Sequence, residues 1–292
     1  MSEPVKVGLV GAGPWARMAH APVFAAGPET ALVGVWARNP EAAASLAQRH
    51  RTEAVGSLSE LIERSEAVAF AVPPAVQAEL ALDVVAAGRA VILEKPIAGD
   101  LAGAERLADA VGTAGVVSLV ALSWRYSTAV RQLVDAAAAF GPIGGRGWFV
   151  SGALLGGPFA TPWRLAEGAL PDLGPHLLDL LDATLGPVES VRAHGDSLRW
   201  LGLLLEHRSG VVSEASMSAV VPLQPHRAGV DLYAADGVLE IDCGASVGPD
   251  AFATLRREAA EAVRNGRPHP LDVWRGLHLQ RLIESARSQL NG

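Results

Sequence analysis

A short apolar run, Val5–Val10, ends directly in Gly11-Ala12-Gly13-Pro14-Trp15-Ala16, and a helix-like segment, Pro14–Ala26, opens inside that G-x-G-x-x-A sequence. Each small residue has a distinct use in a strand–turn–helix joint. Gly11 permits the tight turn, Gly13 lets main chain approach a pyrophosphate, and Ala16 lets the helix pack closely on the strand. The helix N-terminus then offers free N–H groups and the positive end of its dipole to phosphates. A tight βα turn with no ligand could use the same glycines, so the motif alone is weak. Its position between a strand and a helix, at the head of an α/β pattern, is the context that a dinucleotide site requires.

The pattern that follows is regular. Ala31–Trp36 reads as a strand, Pro40–Arg49 as a helix with proline at its start, and Ser57–Arg64 as a helix capped by Ser57. Ala67–Val72 is the next strand, Ala75–Ala87 a helix closed by Gly88, and Ala90–Glu94 a strand. Leu101–Val111, capped by Asp100, and the strand Val116–Leu122 complete the series. Strands apolar throughout, alternating with helices, predict a doubly wound parallel sheet of the Rossmann type, covered on both faces.

Beyond residue 122 the pattern changes. Ala129–Phe140 reads as a helix, Gly145–Leu154 as strand-like, Gly156–Gly168 as irregular and Leu173–Leu185 as a helix. Strand candidates then follow with few helices between them: Val188–His194, Trp200–His207, Val211–Val220, Ala228–Ala234 and Val238–Asp242. Arg208-Ser209-Gly210 and Ala235-Asp236-Gly237 resemble hairpin turns. Two helices, Ala251–Arg264 and Leu271–Leu290, end the chain. The expectation is a dinucleotide-binding domain over 1–122 and an α+β domain over 123–292, with a mostly antiparallel open sheet and a last helix that can pack back on the first domain.

Composition narrows the function classes. With 292 residues, half of them hydrophobic, the chain can build two cores. A formal net charge of −7 argues against a nucleic-acid binder. No stretch approaches the roughly 20 apolar residues of a membrane span. The start of the sequence lacks the pattern of a signal peptide. One cysteine, Cys243, fits a reducing compartment, so a cytoplasmic location is expected. Lys6 and Lys95 are the only lysines in a chain that otherwise uses arginine. A lysine amine can exchange protons near neutrality and a guanidinium cannot. Lys95 follows a buried strand at the carboxyl edge of the sheet, where ligands of such folds bind.

The cofactor expectation turns on the end of the second strand. An NAD site usually has a carboxylate there for the ribose diol. This chain has Trp36-Ala37-Arg38-Asn39, with no carboxylate before Glu41. Arg38 can pair with a 2′-phosphate, which favours NADP over NAD, or it can be a solvated loop charge.

Several segments together resemble the glucose–fructose oxidoreductase, inositol dehydrogenase and MocA-type family. They are the glycine turn, Met18-Ala19-His20-Ala21-Pro22, Ala71-Val72-Pro73-Pro74, Ala86–Pro96 with its Glu94-Lys95-Pro96 triplet, Trp163-Arg164, and Leu170–Asp179. The resemblance implies that Lys95 contacts substrate and nicotinamide ribose. It also implies a cofactor surface formed by Gly11, Gly13, Pro14, Trp15, Ala16, Arg38, Val72, Pro73, Glu94 and Lys95.

Asp172, His176 and Asp179 stand at i, i+4 and i+7, hence on one helix face. Carboxylates and an imidazole among leucines are costly to bury without partners. An imidazole's unperturbed pKa suits a general base for a hydroxyl proton, which makes His176 the candidate. The resemblance gives His176 that acid/base role, with Lys95 polarising the substrate oxygen and Asp172 orienting or relaying. Asp179 is expected to bind a substrate hydroxyl or brace the helix. A metal site and a solvated helix face are the competing readings; nothing else in the sequence supplies metal ligands at a convincing spacing.

Trp124, Arg125, Trp163 and Arg164 are candidates for substrate contact, and His20 for holding the first helix in place. Trp200–Leu205 is apolar on both faces, which predicts a homo-oligomer, dimer or tetramer, built on the second sheet. Gln77 replaces a histidine frequent in the family, and Leu170-Pro171 replaces glycines. The whole reads as an NAD(P)-dependent dehydrogenase or reductase of a sugar, cyclitol or related carbonyl compound. The alternatives are a dinucleotide-binding sensor without turnover and redox-assisted glycoside cleavage.

Overall fold

A computed structural model describes residues 3–246 and 248–290. The chain divides into two compact units, one comprising the residues up to Ala121 together with Phe252–Leu277, the other Leu122–Ala251 with the residues from His278 onward. The C-terminal segment is thus shared. Part of it belongs to the first unit, where the sequence pattern suggested the second domain with a possible return.

The first unit is built on a five-stranded sheet in the order β2-β1-β3-β4-β5. The strands are β1 (Val5–Val10), β2 (Thr30–Trp36), β3 (Ala67–Phe70), β4 (Ala90–Leu93) and β5 (Ser118–Val120). All pairs are parallel. Every residue of β3 and β4 is buried, which explains their unbroken apolar sequences. The order reverses direction between β1 and β3, so a switch point lies at the carboxyl end of β1, directly before the glycine turn.

The helices are α1 (Ala21–Ala25), α2 (Pro40–Arg49), α3 (Leu58–Arg64), α4 (Pro74–Ala86) and α5 (Leu101–Ala114). Ser57 Oγ accepts the Glu60 N–H and Asp100 Oδ1 accepts the Gly103 N–H, so both expected caps form. The first helical segment departs from expectation. A π-helical turn, Ala16–His20, interrupts it before α1.

The second unit holds a six-stranded sheet in the order β11-β10-β6-β9-β8-β7. These are β6 (Gly144–Val150), β7 (Val188–Gly195), β8 (Leu201–His207), β9 (Val212–Ser218), β10 (Arg227–Ala234) and β11 (Gly237–Asp242). Only β6 and β9 run parallel; the remaining pairs are antiparallel. Its helices include α6 (Thr128–Phe140), α7 (Pro162–Glu167), α8 (Ala169–Leu185) and the short α9 (Cys243–Ser246). α10 (Pro249–Asn265) and α11 (Val273–Leu290) follow.

α8 packs on β6, where Gly145 and Gly147 make room: a Cβ on Gly147 would lie 3.1 Å from Leu177 Cδ2, and one on Gly145 2.9 Å from Leu185 Cδ1. α8 begins four residues before the expected Leu173. Its first N–H groups are satisfied from a loop, Ala169 N–H by Ser197 O at 2.8 Å and Leu170 N–H by Ser197 Oγ at 3.1 Å. The segment read as irregular contains α7. Among the described residues no helix is long and apolar enough to cross a membrane.

Candidate functional site

In the first unit the glycine turn sits beside two strand ends. Gly11 N–H donates to Trp36 O at 2.8 Å, fixing the end of β2 against the turn. Gly11 has φ +114°, and a Cβ there would lie 2.4 Å from Ala71 O. This glycine is therefore required by the fold itself, because Ala71-Val72-Pro73 passes directly over it. Gly13 is different. A Cβ there would meet nothing within 4 Å, so packing does not account for its missing side chain. The space it leaves over the helix N-terminus is a cradle that a pyrophosphate fits. Ala16 is fully buried where the helix approaches the sheet.

The Glu94-Lys95-Pro96 segment leaves the end of β4 and is tied to the same turn. Glu94 Oε1 accepts the Trp15 indole N–H at 2.6 Å, and the same oxygen lies 2.6 Å from His20 Nε2. His20 does hold the first helical segment, and it does so through Glu94. Trp15 also meets Phe252 edge-on at 6.1 Å. Lys95 is half-buried and its peptide to Pro96 is cis. Arg38 is exposed two residues past β2, while Asn39 is occupied as the cap of α2, its Oδ1 accepting the Ala42 N–H at 3.1 Å.

In the second unit α8 carries Asp172, His176 and Asp179 on one face, all three buried. Each carboxylate has a guanidinium partner. Arg164 Nε lies 3.1 Å from Asp172 Oδ1, and Arg125 Nη1 donates to both oxygens of Asp179 at 3.2 Å. The pairings explain how α8 can bury these charges. Asp179, 1% exposed, is thereby engaged by Arg125, the arrangement of a brace. Arg164 lies over the Trp163 ring, 4.6 Å from its centroid, so those two predicted substrate residues are joined to Asp172.

His176 is stacked on Trp124 with ring centroids 5.0 Å apart and planes 23° from parallel. Trp124 stacks in turn on Phe149 at 5.3 Å. The weak sequence signal at Trp124 thus coincides with the imidazole. Phe149 carried no signal, because a phenylalanine in a strand looks like core. Among the described residues no group of three or more His, Cys, Asp or Glu side chains converges as a metal site.

A glycine turn at the switch point of a parallel sheet, with a second α+β unit that buries two carboxylates and an imidazole on one helix face, is a two-domain design of the Rossmann class. Residues 5–122 match the model of an oxidoreductase family with an NAD-binding Rossmann fold, and residues 128–240 match the GFO/IDH/MocA C-terminal domain. The chain belongs to the GFO/IDH/MocA family of oxidoreductases. It is 30% identical over 210 residues to a dTDP-3,4-didehydro-2,6-dideoxy-alpha-D-glucose 3-reductase of Streptomyces violaceoruber, covering 67% of this chain and 58% of that protein. It is 27% identical over 210 residues to a levoglucosan dehydrogenase of Pseudarthrobacter phenanthrenivorans, covering 65% and 54%. The match therefore spans a little over half the length of these relatives. In fold it is similar to GenD2 from gentamicin A biosynthesis, solved in complex with NAD, with TM-score 0.88, 24% identity and coverage of 100% of this chain and 95% of that one.

Proposed function

We propose that this chain is an NAD(P)-dependent oxidoreductase acting on a hydroxyl or carbonyl group of a sugar, a cyclitol or a related compound. The observation that carries the reading is the open cradle at Gly13, which the protein's own packing does not require. The relatives named as a nucleotide-sugar reductase and a levoglucosan dehydrogenase support the sugar class.

The nicotinamide, when bound, supplies the hydride acceptor or donor. This chain's residues do the rest. The turn from Gly11 to Ala16, with Pro14 and Trp15, would hold the pyrophosphate, and Arg38, Val72, Pro73 and Glu94 would complete the cofactor surface. Lys95 binds the substrate oxygen. His176 takes the hydroxyl proton during oxidation and returns it during reduction, its ring kept in place by Trp124. Asp172 and Arg164 orient that helix face, and Asp179 with Arg125 holds it rigid. Trp163 contributes an apolar surface for the substrate ring. Arg38 favours NADP by pairing with a 2′-phosphate.

The test is a screen of sugars and cyclitols with NADP and NAD, followed by Lys95→Met and His176→Ala on the best substrate. Each substitution should lower kcat by about 10²–10⁴-fold. Turnover within about threefold of the parent in both variants contradicts the assignment.

A further inference from the structure

We propose that Gln77 is the positioning residue for Lys95, an inference that rests on the role given to Lys95 above. Gln77 lies on α4 and is fully buried, with 0% exposure. Its carboxamide is spent on one loop. Oε1 accepts the Glu94 N–H at 2.8 Å. Nε2 lies within hydrogen-bond distance of three carbonyls: Glu94 O at 2.8 Å, Ile97 O at 3.1 Å and Pro96 O at 3.4 Å.

The main chain on both sides of Lys95 is therefore held by a single side chain, 17 to 20 residues away in sequence. The Lys95 side chain inherits its direction from that main chain. An amide is suited to this task because it donates and accepts at once without changing charge with pH. The second hold on the loop is the Glu94 carboxylate, which is anchored to Trp15 and His20 rather than to α4. The two holds differ in kind: one fixes the backbone, the other ties the loop to the cofactor turn. A misplacement of about 1 Å in a reacting group costs about 10²-fold in rate, so a loop clamp of this kind belongs to the chemistry although it touches no substrate.

The sequence offers an unusual probe. Lys6 and Lys95 are its only lysines, and Lys6 is exposed on β1. Trace acetylation of the intact protein, read by mass spectrometry, reports the reactivity of the Lys95 amine with Lys6 as internal reference. The comparison is between the parent, Gln77→Met, which removes all four contacts at similar size, and Gln77→Glu, which keeps the acceptor and removes the donors. NADPH is the protecting ligand, and its Kd is measured separately.

In the parent, NADPH should slow Lys95 acetylation by roughly tenfold or more and leave Lys6 unchanged. In Gln77→Met the Lys95-to-Lys6 ratio should change by roughly threefold or more and NADPH protection should fall, with the Kd for NADPH within about threefold. Absence of protection in the parent, with NADPH bound, overturns the reading of Lys95 itself. Protection in the parent with an unchanged ratio in the variant overturns the inference about Gln77. If Gln77→Met does not fold, Gln77→Glu decides by the same ratio.

Discussion

Gly11 and Gly13 are two residues apart and should respond to the same substitution in opposite ways. Gly11→Ala puts a Cβ against Ala71 O in a backbone conformation that L-residues rarely adopt, so the fold should lose roughly 2–4 kcal/mol. Gly13→Ala meets open space, so thermal unfolding should stay within a degree or two of the parent. Its methyl group fills the cradle, and dinucleotide affinity should fall about tenfold or more, about 1.4 kcal/mol. Thermal melts and NADPH titrations of both variants separate the two roles. Arg38→Ala belongs to the same scale. Loss of a charge-assisted contact worth roughly 1.5–3 kcal/mol should weaken NADPH about 10- to 100-fold while leaving NADH nearly unchanged. Equal weakening of both cofactors, or no change, contradicts the NADP preference. The sequence displayed the glycines and Arg38 because each is a departure from what a strand or helix needs locally. It did not display the clamp at Gln77, since a glutamine on a helix face reads as solvated until the loop it meets is known.

At the scale of elements, α10 (Pro249–Asn265) is the part least visible in the pattern. Its amphipathic sequence declared a helix but not its partner. The partner is written in ion pairs and main-chain acceptors far away in sequence. Arg256 Nε donates to Glu29 Oε2 at 2.8 Å, and Arg264 Nη2 donates to Glu3 O at 3.0 Å and Glu29 O at 2.9 Å. For Glu29, burial alone pushes the carboxyl pKa up. A main-chain hydrogen bond, the Arg256 hydrogen bond and the charges of Arg256 and Arg257 outweigh it, so the net pKa lies below the ordinary 4.5. The folded state thus binds this proton less tightly than the unfolded chain. The stabilisation is complete above the ordinary value and fades as pH falls through the folded one. Arg256→Met should cost about 1.5–3 kcal/mol at neutral pH. Its deficit against the parent should shrink once pH drops below 4.5, as urea unfolding across that range would record. The same scale explains why other boundaries shifted. α7 hides in a Gly/Pro-rich stretch because Pro162 starts a helix of six residues, too short to establish a period. The π turn at Ala16–His20 leaves no composition signal at all.

For the whole molecule, the open question in the second unit is what its outer sheet face meets. β8 alternates as a half-buried strand does: Leu201, Leu203 and Leu205 are buried, while Leu204 is 43% exposed. The both-faced apolarity of the sequence thus resolves into an inner face covered by the unit's own helix and an outer face with one leucine. Register carries a continuous row across the outer face, from Arg192 through Leu204, Glu214, Arg146 and Asp231 to Glu240. Within it Arg146 and Asp231 pair at 3.2 Å, and the Tyr233 hydroxyl donates to Asp231 at 3.1 Å. Val212, Tyr233 and Val238 form an exposed apolar margin on the neighbouring row. Apolar side chains spread over one face of a six-stranded sheet, interleaved with charges of both signs, suit an isologous contact, because a two-fold axis can set acidic positions of one copy against basic positions of the other. We therefore expect a homo-oligomer, a dimer or a tetramer, through this face. Leu204→Asp adds a charge to the row without touching the inner core, so it should leave the secondary structure intact and shift sedimentation to the monomer at micromolar concentration. A parent protein that already sediments as a monomer contradicts the expected oligomer, and a variant that remains oligomeric assigns assembly to a different surface.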